Sequence, residues 1–85
     1  LYITYGPKNP PKGSYFTLTA NYDSNQVNLS DLLFQWYEDG VSIIGGTGAS
    51  VLVECKTGIH RYDVVMKSSK EGSMTSASLI LQFQF

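Results

Sequence analysis

Apolar and polar residues alternate with a period of two along most of this chain, and nowhere do they follow the 3.6-residue period of a helix. The clearest alternation spans residues 14–22: Phe16, Leu18, Ala20 and Tyr22 share one face, and Tyr15, Thr17, Thr19 and Asn21 the other. A second strand carries the only tryptophan, with Phe34 and Trp36 on one side and Gln35 and Tyr37 on the other. Glu38-Asp39-Gly40 predicts a tight turn after it, because Asp-Gly tolerates positive φ, and residues 41–44 read as the returning strand. An indole is too large to bury against one hairpin, so further strands must cover it.

The remaining segments supply them. Residues 1–5 alternate and predict a first strand. Val51, Val53 and Cys55 point opposite to Leu52 and Glu54. In residues 60–67, Tyr62, Val64 and Met66 face away from Arg61, Asp63 and Lys67, and His60 reads as a strand-end or loop residue. A final strand over 74–85 places Ala77, Leu79, Leu81, Phe83 and Phe85 on one side. About seven strands separated by turn signals predict an all-β sandwich.

The connections offer little chemistry. Pro7, Pro10 and Pro11 keep residues 6–13 out of any ladder, and no longer polyproline run flanks them as in an SH3-type ligand. In the polar stretch 23–31, Val27 breaks the oxygen-ligand series that calcium would need from Asp23, Asn25 and Asp31. Asn28-Leu29-Ser30 is a glycosylation acceptor only in a eukaryotic secretory pathway. The glycines of residues 45–49 lack the Gly-Lys-Ser/Thr of a phosphate loop and are followed by a strand, so they read as loop geometry. His60, the only histidine, has no Ser, Cys or acidic pair at a sequence spacing that suggests catalysis.

The 85 residues make one domain, and a chain opening on Leu1 rather than Met reads as a piece of a longer protein. Six basic and seven acidic side chains nearly cancel. Lys8, Lys12, Lys56, Arg61, Lys67 and Lys70 are too dispersed to replace phosphate counterions, which argues against nucleic acid. No apolar run approaches the roughly 20 residues of a membrane-spanning helix. Cys55 is alone and reads as a small buried hydrophobe in a domain that folds without a bridge.

Taken together, these strands resemble an immunoglobulin-like domain over nearly the whole chain. Residues 16–20 resemble the family's second strand, with Ala20 where antibody-type domains have a cysteine. Phe34-Gln35-Trp36-Tyr37 with Asp39-Gly40 resembles the third strand and its turn, and Tyr62-Asp63-Val64 the Tyr-x-Cys of the sixth, with Val64 in the second cysteine position. The resemblance implies a tyrosine corner, in which the Tyr62 hydroxyl bonds to backbone upstream. Only about a dozen residues separate Ile44 from Gly58, so the middle of the domain is short and strands there are expected to be missing or fused.

The cysteine-free variety is similar to the Ig-like and PKD-like modules of tailed-bacteriophage capsid decoration and tail proteins. That likeness implies a non-enzymatic virion-surface module with weak accessory binding to bacterial surfaces or glycans. Capsid or tail would be gripped by a segment outside this chain, and the domain itself would be a monomer. The alternative it implies is a spacer or carbohydrate-binding domain of a bacterial surface or secreted protein. No catalytic, metal or cofactor residue is expected, and no ligand-binding residue is assigned: Tyr15 and Tyr37 are exposed rings able to stack on sugars, but single exposed aromatics are ordinary on a sandwich. Residues 6–13 are expected near the junction with the anchor.

Overall fold

The computed structural model describes residues 1–23, 32–68, 72 and 74–84. Residues 24–31, with the calcium and glycosylation readings that fall on them, lie outside the described residues, as do 69–71, 73 and Phe85. The described strands are β1 (Tyr2–Gly6), β2 (Tyr15–Asn21), β3 (Leu32–Glu38), β4 (Val41–Ser42), β5 (Ser50–Glu54), β6 (Gly58–Ser68) and β7 (Met74–Phe83). They form two antiparallel sheets, ordered β1-β2-β5 and β4-β3-β6-β7. The result is an all-β sandwich compatible with an immunoglobulin-like domain. Its short fourth strand joins β3, and the chain then crosses directly to β5.

The face assignments follow the period-two pattern. Phe16, Leu18 and Ala20 of β2, Val53 of β5 and Cys55 just beyond it, and Tyr62 and Val64 of β6 are all buried with Trp36. Ala20 and Val64, which the resemblance sets at the cysteine positions of antibody-type domains, both sit in this core, packed by apolar side chains. An indole removes about 200 Å² from water, worth about 5 kcal/mol at about 25 cal/mol per Å².

The returning strand is shorter than its sequence predicts. Ile43 and Ile44 leave the ladder because the chain folds back onto the open edge of β3. The Ile43 amide donates to the Trp36 carbonyl (2.9 Å), the Trp36 amide to the Gly46 carbonyl (2.9 Å), and the indole Nε1 to the Gly48 carbonyl (2.8 Å). Residues 43–48 therefore satisfy the polar groups of the central strand and its indole. Gly46 is buried in this turn, and a Cβ there would lie 3.1 Å from both Trp36 Cβ and Ile43 Cβ. Gly46→Ala should lower stability by about 1–3 kcal/mol through overpacking. Gly48→Ala, whose Cβ would meet nothing closer than 3.5 Å, is the control and should stay within about 0.5 kcal/mol. Urea midpoints of the two variants check the pair.

Gly6 pairs with Thr17 and Tyr2 with Asn21, so the proline segment lies at the far end of β1 from Leu1. It connects β1 to β2 and is tied to Cys55, the residue after β5, with Pro10 buried, the Gly13 amide donating to the Cys55 carbonyl, and the Cys55 amide to the Ser14 carbonyl. A segment preceding Leu1 would meet the domain at the opposite end.

Candidate functional site

Among the described residues, two places gather groups able to meet a ligand. The first is the outer face of β1-β2-β5. The pleat that buries Phe16, Leu18 and Ala20 turns Tyr15, Thr17, Thr19 and Asn21 outward. Register then sets Thr4 opposite Thr19 and Tyr2 opposite Asn21 on one side, and Leu52 opposite Thr17 and Ser50 opposite Thr19 on the other. Tyr2 and Tyr15 are each 63% exposed and Leu52 64%. An open groove of about 510 Å³ runs along this edge, lined by Thr17, Ile44, Gly45, Ser50, Val51 and Leu52. Glu54 is the one charged side chain that the described residues of β1, β2 and β5 place on the face. Tyr15 is thus exposed as expected, whereas Tyr37 is half-buried on the other sheet.

The second is a corner where the β3-β4 turn meets the start of β6. Asp39 adopts φ 51° in the turn, the left-handed conformation that Asp tolerates. Its carboxylate accepts the Arg61 amide (2.9 Å) and faces His60 Nδ1 (2.9 Å), while its own amide donates to the Arg61 carbonyl (2.8 Å). His60 Nε2 lies 3.3 Å from the Thr57 carbonyl. Glu38 Oε2 lies 3.2 Å from Lys56 Nζ and 4.0 Å from His60 Nδ1. His60 is therefore inside β6 with acidic neighbours, not at a strand end without them. Sequence spacing hides this, because the register Glu38↔Tyr62 and not proximity along the chain brings the groups together.

Tyr62 corrects the implied tyrosine corner. Its ring is fully buried, but its hydroxyl has no hydrogen-bond partner, to backbone or otherwise, among the described residues. Burial, and then the charge of Glu38, pushes its pKa well above the usual phenol range. With no bond to lose, Tyr62→Phe should leave stability unchanged or raise it by up to about 1 kcal/mol. A denaturation curve showing a clear loss would restore the corner.

The Arg61 amide, and then His60, hold the Asp39 carboxyl below its ordinary 3.8. A depressed folded pKa contributes stability that is complete above the unfolded value and lost as pH falls through the folded one. Asp39→Asn should therefore flatten the acid limb of stability. Urea midpoints taken at about pH 7 and about pH 3 should fall further for the parent than for the variant.

Cys55 is buried, as its sequence context suggests, and burial pushes its thiol pKa up. Lys56, its neighbour in sequence, turns instead to Glu38. The chain was compared with protein-family models, curated proteins and solved structures, and none of them matches it.

Proposed function

We propose that this domain is a non-enzymatic display and adhesion module whose contact surface is the outer face of the β1-β2-β5 sheet. The observation that supports the reading is that face itself. Two exposed tyrosines, a row of threonine hydroxyls and Leu52 lie on one face of the sheet beside an open groove. Phenol rings present a flat apolar surface with a polar tip, which suits sugar rings, and the hydroxyls can exchange hydrogen bonds with a glycan. A shallow, open surface buries little of a ligand, so each contact is weak and useful only in many copies.

The setting we infer is the surface of a tailed-phage virion, as the Ig-like domain of a capsid decoration or tail protein that touches bacterial surfaces or glycans. The particle would be gripped by a segment outside these residues. Two binding measurements test this setting. The isolated domain should fail to co-sediment with undecorated capsids, and the parent protein lacking residues 1–85 should still bind them. Tight capsid binding by the domain alone, or its loss in the truncated parent, would make this domain the anchor. If the same face is instead carried by a bacterial surface or secreted protein, glycan binding survives while both capsid arms are blank.

A further inference from the structure

We propose that Glu38, Asp39 and His60 form a site for a zinc-type divalent cation, with three protein ligands and one open position. The inference is independent of the adhesion reading. One ligand atom from each residue lies within 4.8 Å of the other two. His60 Nδ1 is 2.9 Å from Asp39 Oδ2 and 4.0 Å from Glu38 Oε2. Tetrahedral zinc, with bonds of about 2.0–2.2 Å, sets its ligand atoms about 3.4 Å apart. The two separations from His60 Nδ1 bracket that value and the third lies within 4.8 Å, so side-chain rotations close the site. One imidazole nitrogen with two carboxylates suits zinc better than calcium or magnesium, which favour all-oxygen shells.

Two further observations point to a cation. Both ring nitrogens of His60 face oxygen acceptors, the Asp39 carboxylate and the Thr57 carbonyl. A neutral imidazole has one N–H and can donate to only one of them. An imidazolium donates to both, and a metal cation on Nδ1 satisfies the same geometry, leaving Nε2–H to donate to the Thr57 carbonyl, which is how metal-bound histidines are commonly oriented. The second observation is the buried Tyr62 hydroxyl, which has no hydrogen-bond partner among the described residues, while Glu38 Oε2 has only the Lys56 ammonium close to it. Tyr62 is fully buried and is the register partner of Glu38, so the two side chains leave the sheet on the same face. Buried polar atoms without partners require an explanation, and a bound ion is one. With the ion in place, Tyr62 is the outer group that orients the Glu38 carboxylate.

Lys56 is a built-in competitor. Its ammonium sits 3.2 Å from Glu38 Oε2 on a side chain 46% exposed, free to swing into solvent when a dication takes the carboxylate. Removing it leaves two carboxylates to balance a double positive charge.

The test is calorimetric titration of the untagged domain with zinc chloride alone, alongside thermal melting. The expected result is saturable binding of one ion per chain and a higher melting temperature with zinc. His60→Ala and Asp39→Asn should each weaken binding by more than tenfold, and the isosteric Asp39→Asn keeps the test valid if His60→Ala unfolds. Tyr62→Phe should weaken binding by about tenfold, the usual effect of losing an outer partner, with no loss of zinc-free stability. Lys56→Gln should tighten it by up to about fivefold, the worth of one exposed ion pair. Absence of saturable binding would overturn the proposal. So would zinc affinity unchanged by both ligand substitutions, or weakened by Lys56→Gln.

Discussion

Trp36→Ala is expected to lower the unfolding free energy by about 3–5 kcal/mol, a large share of what a domain of this size commands. Trp36 is fully buried between the sheets, and its indole N–H also holds the Gly48 carbonyl at 2.8 Å. Alanine therefore opens a cavity and releases the 43–48 turn at once. Trp36→Phe separates the two effects, since it keeps most of the apolar volume and deletes only the hydrogen bond and part of the ring. It should cost about 1–3 kcal/mol, the penalty of a buried acceptor left unpaired plus a smaller cavity. Urea denaturation followed by circular dichroism reads both variants, and an alanine variant within about 1 kcal/mol of the parent would remove Trp36 from the centre of the fold.

Phe16→Ala should be nearly as damaging, for a different reason. Phe16 comes from the β1-β2-β5 sheet, yet its ring meets Tyr62 at 6.1 Å and Phe83 at 5.4 Å from the opposite sheet, and Tyr5 at 6.2 Å from its own, all edge to face. Without an inter-sheet disulfide, this cluster and Trp36 tie the two layers together. Truncation to alanine should cost about 3–5 kcal/mol, each lost aromatic pair adding to the cavity penalty. Phe16→Leu fills more of the space and should cost less than half as much. Equal losses for Leu and Ala would mean that the edge-to-face geometry, rather than filled volume, holds the sheets.

Much of this architecture can be read from the pattern of side chains. Burial on one side of a pleat forces the alternation seen at Phe16, Leu18 and Ala20 and at Tyr62, Val64 and Met66, so strand existence and facing are local properties. What pattern cannot carry is where a strand gives up its ladder. Ile43 and Ile44 have good strand composition, but the need to satisfy the Trp36 backbone and indole pulls the chain into the turn at Gly45 and Gly46. Ile44 ends fully exposed at the groove. The His60 corner is hidden for the same reason, because it exists only through the β3-β6 register. Tyr62 keeps its place in the core while its hydroxyl escapes the implied backbone bond, since a buried ring fixes position and not its polar partner. The outward residues of β2 and β5, Tyr15 included, are legible from alternation, but that Tyr2 and Thr4 of β1 join them, and which residues stand beside one another, depends on strand pairing.

That face carries the central claim, and binding by a multivalent form of the domain tests it most directly. Beads bearing many copies of the isolated domain would be presented to a panel of bacterial cells and purified surface polysaccharides. A matched set would carry Tyr15→Ala with Leu52→Ser, two exposed changes on the β1-β2-β5 face that leave the core intact. The account predicts that parent beads bind at least one cell type or polysaccharide and that the double variant loses most of that binding while its melting temperature holds. Parent and variant beads that bind equally well, or parent beads that bind nothing on the panel, would contradict it.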